Sequence, residues 1–111
     1  MDRLDEIFTM QKGLSQMMNL DRYPKDSEGR ISALSTAIIH EAVELQRITN
    51  WKWWKKDPED WDNIKVELVD ILHFWVSMCT VAGLSAEEVV SLYFKKNKLN
   101  HKRQEEEIGR A

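Results

Sequence analysis

Two pairs of carboxylates, Glu41-Ala-Val-Glu44 and Glu67-Leu-Val-Asp70, mark the segment from Ile39 to Asp70. Residues three apart lie on the same side of an α-helix. At about 100° per residue, apolar side chains before and after each pair fall on the same stripe as the acids. Burying an ionised carboxylate alone is very unfavourable, so four acids on apolar helix faces require cations. We therefore expect a site for hard divalent ions such as Mg²⁺ or Mn²⁺, which prefer oxygen ligands.

Other readings share parts of this pattern. The plainest is two surface acids on each of two helices. His40-Glu41-Ala-Val-Glu44 is similar to a zinc-protease helix, but Glu44 stands where that motif requires a second histidine, so a zinc protease is rejected. Asp70-x-x-His73 with the glutamates is one half of a di-iron bundle, which takes Glu-x-x-His from two helices, and a symmetric dimer would supply the other half. For His73 the sequence favours a core histidine with a hydrogen-bond partner.

Composition limits the class of protein. The 111 residues suffice for one domain with a modest core, and we expect a single domain over residues 1–111. Lys and Arg number 16 against 19 Asp and Glu, for a formal charge of -3, without the basic footprint of nucleic-acid binding. The lone Cys79 and the absence of a signal-peptide pattern predict a reduced, cytoplasmic protein. The apolar run from Ile71 to Leu84 is too short to span a bilayer, so we expect no membrane partner.

Helical periodicity runs through almost the whole chain, and no stretch alternates as a β-strand does. Asp57 is the predicted N-cap of the third helix, and Gly83 is its predicted end. Ser85 and Glu88 predict a capping box, and residues 105–111 are expected to fray. The four predicted helices run from about Arg3 to Asn19, Ser32 to Asn50, Pro58 to Val81 and Ser85 to Gln104.

A few helices with acids on their apolar faces cannot close a core alone, and sites in such folds are assembled from facing helices. The sequence therefore predicts an all-α, four-helix bundle-type domain that is completed by oligomerisation. We expect a homodimer or a homotetramer.

Two further stretches favour a nucleotide ligand. Trp51-Lys52-Trp53-Trp54 sets aromatic faces beside cations, which suits a nucleobase and phosphates, although indoles that cover the end of a bundle explain it equally well. The fourth helix carries a stripe of amides and cations with no acid until Glu105, whereas an ordinary solvated face mixes Glu with Lys. Amides bind base and sugar edges, and Lys and Arg bind phosphate oxygens. The stripe consists of Tyr93, Lys96, Asn97, Asn100, Arg103 and Gln104.

These motifs resemble those of the all-α nucleoside triphosphate pyrophosphatases, in particular the dimeric dUTPase branch, which is related to the MazG-type enzymes. The resemblance runs from about Phe8 to Gln104 and rests on the order and spacing of ExxE, aromatic-Lys-x-Trp, ExxDxLHF and KNxxNxxRQ. Gln11 resembles the first-helix glutamine that contacts the base. His40 and Ile48 stand where many relatives carry an additional glutamate, which leaves the number of metal ions open.

The resemblance implies Mg²⁺-dependent hydrolysis of a deoxynucleoside triphosphate to the monophosphate and pyrophosphate. We expect dUTP as the substrate, because the Gln11 amide offers both a donor and an acceptor to uracil. The same amide turned over would serve cytosine, so dCTP is the nearest rival, and dGTP or another dNTP, a non-catalytic helical dimerisation module and a di-iron bundle stay open.

The implied roles fall on ten residues. Glu41, Glu44, Glu67 and Asp70 would hold Mg²⁺, with Mn²⁺ as a substitute, and Glu44 together with Glu41 would be catalytic by acting on the attacking water. The expected substrate contacts are Gln11 and Trp54 to the base, Lys52, Lys96 and Arg103 to the phosphates, and Asn97 and Asn100 to the sugar.

Overall fold

The computed structural model describes residues 2–18 and 21–110, without the side chain of Arg110, and within these ranges the chain forms helices and no strand. This confirms the predicted all-α fold class. The predicted end of the first helix at Asn19 lies outside the described residues. The helices are α1 (Arg3–Met17), α2 (Ser27–Arg47), α3 (Trp61–Val81) and α4 (Ala86–Arg110).

Helix α2 begins at Ser27, whereas the sequence predicted a start near Ser32. The reason is an N-cap at Asp26, whose carboxylate accepts a hydrogen bond of 2.7 Å from the backbone N–H of Gly29. A Cβ at Gly29 would lie 2.7 Å from the Asp26 Oδ1 atom, so glycine makes room for this cap. The earlier start lengthens α2 toward the α1–α2 loop.

Helix α3 begins at Trp61, later than predicted, because Asp60 is its N-cap. The Asp60 side chain accepts a hydrogen bond from the backbone N–H of Asn63. Asp57 was the predicted cap, and this prediction was wrong. The backbone N–H of Asp57 donates instead to the Asn50 Oδ1 atom at 2.8 Å, which keeps Asp57 in the loop before the helix.

The turn between α3 and α4 agrees with the prediction. Gly83 adopts a φ of 80°, which is the left-handed region that favours glycine at the end of a helix. The N–H of Leu84 donates to the Cys79 carbonyl oxygen at 2.8 Å and so closes the last turn of α3. The N–H of Glu88 donates to the Ser85 Oγ atom at 3.1 Å, which confirms the predicted cap of α4.

Helices α2 and α3 form an antiparallel hairpin, and α1 packs against α3. The antiparallel direction follows from the contact between Ser35 early in α2 and Met78 late in α3, where the Ser35 hydroxyl lies 3.4 Å from the Met78 sulfur. A hydrogen bond of 3.0 Å from the Gln11 Nε2 atom to the Ser77 Oγ atom joins α1 to α3. The hairpin thus places the carboxylate-bearing turns of α2 and α3 opposite one another.

Helix α4 projects from the other three helices. It leaves α3 at an angle of 101° and, among the described residues, packs only against α1. It continues to Arg110, past the predicted end near Gln104, because Glu105, Glu106 and Glu107 are good helix formers. Its side chains from Val90 to Gly109 are exposed.

The single chain is much more open than an ordinary domain of its length. Its radius of gyration is 17.9 Å, against about 13 Å for a compact domain of this size. Its accessible surface is 9337 Å², against about 6,400 Å² for a folded monomer of this mass. Among the described residues, only Val76, Cys79 and Ala86 are buried.

No single helix in the described ranges has the length and apolar character needed to cross a membrane. The bent pair of α3 and α4 passes the same test on length and composition alone.

Candidate active site

Three carboxylates meet between α2 and α3. Glu41 comes from α2, and Glu67 and Asp70 lie one turn apart on α3. One carboxylate oxygen from each residue lies within 4.8 Å of the other two, and all three side chains are half-buried. The antiparallel packing of the hairpin produces this group, which we call the acid cluster.

The acid cluster lacks positive charge. The Oε2 atoms of Glu41 and Glu67 are buried without a hydrogen-bond partner in the described part of the chain. Two ionised carboxylates only accept hydrogen bonds, so they cannot satisfy each other. The pKa of Glu41 is raised, chiefly by the hydrogen bond it shares with Glu67 when it holds a proton, and further by burial and by the charges of Glu67 and Asp70.

A divalent cation fits this donor set. Three carboxylates supply only oxygen ligands, which is the preference of Mg²⁺ and Mn²⁺. The orphaned oxygens of Glu41 and Glu67 are the atoms that a cation would satisfy. The residues present therefore match the metal site that the sequence predicts, with three of the four expected ligands brought together.

Glu44 and His73 lie outside the acid cluster. Glu44, the fourth expected ligand, is exposed, although a hydrogen bond to its side chain lowers the pKa of Glu41 and so places the two carboxyl groups close together. His73 is also exposed, so the prediction of a core histidine was wrong. It is absent from the cluster in the described residues, which removes the histidine that a di-iron site needs.

Removing one of the facing charges should stabilise the metal-free protein. Because the pKa of Glu41 is raised on folding, its protonated form stabilises the fold at low pH, and this stability is lost as the pH rises through the folded-state pKa. In EDTA at neutral pH we therefore expect Glu41→Gln to melt at a higher temperature than the wild type, measured by circular dichroism.

Added Mg²⁺ should raise the melting temperature of the wild type more than that of Glu41→Gln. Glu106→Gln changes an exposed acid on α4 and is the matched control, which should respond to Mg²⁺ as the wild type does. A Glu41→Gln protein that is less stable than the wild type in EDTA would show that the carboxylates do not repel one another.

Gln11 is half-buried on α1 and donates from Nε2 to Ser77. Ser77 lies on the same stripe of α3 as Asp70, two turns and about 10 Å further along the axis. Gln11 is thus held beside the groove that leads away from the acid cluster. The sequence reasoning missed Ser77, although its spacing from Asp70 is a signal of a shared face.

Lys52 and Trp54 lie in the exposed loop between α2 and α3. Trp54 makes edge-to-face contacts with Trp51 and Trp53, with ring centroids 6.3 and 5.6 Å apart. The Lys52 Nζ atom lies 5.5 Å from the centroid of the Trp51 ring. This loop follows the end of α2, so it lies beyond Glu41 on the same side of the hairpin.

The stripe on α4 does not join the acid cluster within one chain. Helix α4 makes no packing contact with α2 or α3 in the described residues. The four side chains expected to bind substrate are exposed, and Asn97 makes a 3.5 Å hydrogen bond from Nδ2 to the Tyr93 hydroxyl. They are Lys96, Asn97, Asn100 and Arg103.

A family of dUTPases matches residues 3–81 and 76–107, which together cover most of the chain. The chain belongs to the dUTPase family. This confirms the resemblance to the all-α nucleoside triphosphate pyrophosphatases that the motifs carry. No solved structure matches the chain.

Phage proteins are among its relatives. The chain is 31% identical over 114 residues to a dCTP pyrophosphatase of Enterobacteria phage LZ5, covering 91% of this chain and 65% of that protein. It is 43% identical over 68 residues to a dCTP pyrophosphatase of Enterobacteria phage T4, covering 50% of this chain and 40% of that protein. A DNA replication protein of phage T4 is 43% identical over 61 residues, which cover 16% of its length. The chain thus spans less than two thirds of each of these relatives.

Proposed function

We propose that this member of the dUTPase family hydrolyses a pyrimidine deoxynucleoside triphosphate to the monophosphate and pyrophosphate, with dCTP as the preferred substrate. The acid cluster carries this proposal, because three half-buried carboxylates without a cation suit a metal-bound triphosphate. The sequence alone favoured dUTP. Two relatives named dCTP pyrophosphatases move dCTP ahead of it, and the name of the family keeps dUTP as the second candidate.

Glu41, Glu67 and Asp70 would hold Mg²⁺, or Mn²⁺ in its place. When bound, the cation neutralises phosphate charge and lowers the pKa of a bound water. Glu44 lies close to Glu41 and is exposed, so it can accept a proton from the attacking water and release it to solvent. We assign Glu44 the role of base, with Glu41 orienting it.

Gln11 would select the base. Its Nε2 atom donates to Ser77, which leaves the Oε1 atom free to accept a hydrogen bond. Cytosine presents a donor at its 4-amino group, whereas the corresponding oxygen of a uracil-type base only accepts. This arrangement favours cytosine. Trp54 would stack on the base without selecting it, since every base has a π-face.

A second copy of the chain would complete the site. Lys96, Asn97, Asn100 and Arg103 project into solvent on α4, away from the acid cluster of their own chain. The surface of the chain exceeds that of a folded monomer by about 2,900 Å². We propose a homodimer or homotetramer in which α4 of one copy brings phosphate- and sugar-binding residues to the acid cluster of another.

A panel of the eight common NTPs and dNTPs, assayed for pyrophosphate release with Mg²⁺ and with EDTA, tests this function. We expect the highest kcat/KM for dCTP, then dUTP, and no turnover in EDTA. A preference for dGTP or dATP would overturn the pyrimidine assignment while leaving the pyrophosphatase intact. No turnover of any nucleotide would favour the non-catalytic dimerisation module.

Gln11→Ala should raise the KM for dCTP and reduce the preference for dCTP over dUTP, because a site with a buried polar group discriminates against bases that leave it unpaired. The matched control is Gln16→Ala, which removes an exposed amide from the same helix. Steady-state kinetics on both nucleotides measure the effect. An unchanged preference in Gln11→Ala would remove Gln11 from base selection.

A further inference from the structure

A second polar feature lies at the end of the α2–α3 hairpin. The loop between the two helices encloses a cavity of about 230 Å³. Three cationic side chains line it, Arg47, Lys52 and Lys55, together with one acid, Asp57. We call this feature the loop cavity.

Asn50 holds the loop cavity closed. Its Nδ2 atom donates to the Asp57 carbonyl oxygen at 3.0 Å, and its Oδ1 atom accepts from the Asp57 N–H at 2.8 Å. Within the loop, the N–H of Lys55 donates to the Lys52 carbonyl oxygen at 3.1 Å. These bonds fix the backbone that carries Lys52 and Lys55, so the two cations lie on an ordered loop.

The charges of the loop cavity are unbalanced. The Lys55 Nζ atom lies 4.0 Å from the Asp57 carboxylate, at the limit of an ion pair. Arg47 and Lys52 make no ion pair in the described part of the chain. Helix α2 does not need Arg47 as a cap, because the N–H of Ile48 already donates to a carbonyl of its last turn. Like charges that share a cavity repel one another, and an anion would relieve that repulsion.

We propose that the loop cavity binds the phosphate groups of an anionic ligand, with Arg47, Lys52 and Lys55 as donors. Arg47 lies about 9 Å beyond Glu41 along the axis of α2, so the loop cavity is separate from the acid cluster and needs no metal. Two sources share this chemistry, the phosphate tail of the substrate and free pyrophosphate. Only the first source rests on the proposed function.

Isothermal titration of the full chain with pyrophosphate in excess EDTA tests the proposal. We expect binding that weakens with added salt, and about two- to fivefold weaker binding in Arg47→Gln and in Lys55→Gln, as for partly exposed charge pairs. Lys56→Gln is the matched control, because Lys56 belongs to the same loop without lining the cavity. Asn50→Ala should also weaken binding, although it removes no charge.

Equal affinities in the wild type, Arg47→Gln and Lys55→Gln would overturn the proposal, and so would an equal loss in Lys56→Gln. Glu41→Gln should keep its affinity for pyrophosphate in EDTA, which separates the loop cavity from the acid cluster. A raised KM for dCTP in Arg47→Gln identifies the substrate tail as the anion, and an unchanged KM identifies free pyrophosphate. If no nucleotide is turned over, the proposed function fails while the pyrophosphate titration still decides this proposal.

Discussion

Asp70→Asn should lower kcat for dCTP hydrolysis by about 10²–10³-fold, because a catalytic cation contributes several kcal/mol of transition-state stabilisation and each 1.36 kcal/mol is tenfold. Asp70 is one of only three carboxylates that meet in the acid cluster. The change replaces an anionic ligand by a neutral amide of the same shape, so the helix content measured by circular dichroism should not change. Steady-state assays at saturating Mg²⁺ measure the loss.

Asp62→Asn is the matched control, since Asp62 is an exposed acid on the same helix and lies outside the cluster. Its activity should stay near that of the wild type. Glu44→Gln separates the two roles open to Glu44: loss of kcat with unchanged Mg²⁺ affinity identifies a base, and loss of Mg²⁺ affinity identifies a fourth ligand. Full activity of Asp70→Asn would rule out the acid cluster as the catalytic centre.

Mixing two inactive variants should restore activity. Asp70→Asn removes a cluster acid, and Arg103→Ala removes a cation from the exposed stripe of α4. If each site takes its acids from one copy and its α4 residues from another, a mixed oligomer contains one site with both residues intact. We expect each variant alone to be nearly inactive and the mixture, after subunit exchange, to recover a substantial fraction of wild-type turnover.

Asp70→Asn mixed with Glu67→Gln is the control, because both changes damage the acid cluster and no exchange restores an intact one. This mixture should stay inactive. Light scattering on the same samples gives the oligomeric state. An active monomer, or no recovery in the first mixture despite demonstrated exchange, would contradict a shared site.

The sequence was most informative where helical spacing alone decides geometry. Glu67 and Asp70 are one turn apart, so their common face followed from the periodicity of α3. Glu41 joins them because the hairpin is antiparallel, and the apolar stripe on each helix predicted that pairing. Spacing did not reveal that Glu44, one turn beyond Glu41, points to solvent, because that depends on how far α2 is rotated against α3.

Features that depend on the path of a loop were not predictable from local patterns. Asp57 precedes a proline and has the composition of an N-cap, yet its backbone is held by the side chain of Asn50 across the loop. Asp60 therefore caps α3 instead. The direction of α4 was equally hidden, since a Gly83 turn ends α3 without fixing the angle at which the next helix leaves.

The most direct test of the proposed reaction is phosphorus NMR of dCTP incubated with the pure protein and Mg²⁺. We expect the three triphosphate signals to be replaced by those of dCMP and pyrophosphate, and no change when EDTA is present. Persistence of the triphosphate signals, or the appearance of dCDP with inorganic phosphate, would contradict a dNTP pyrophosphatase built on Glu41, Glu67 and Asp70.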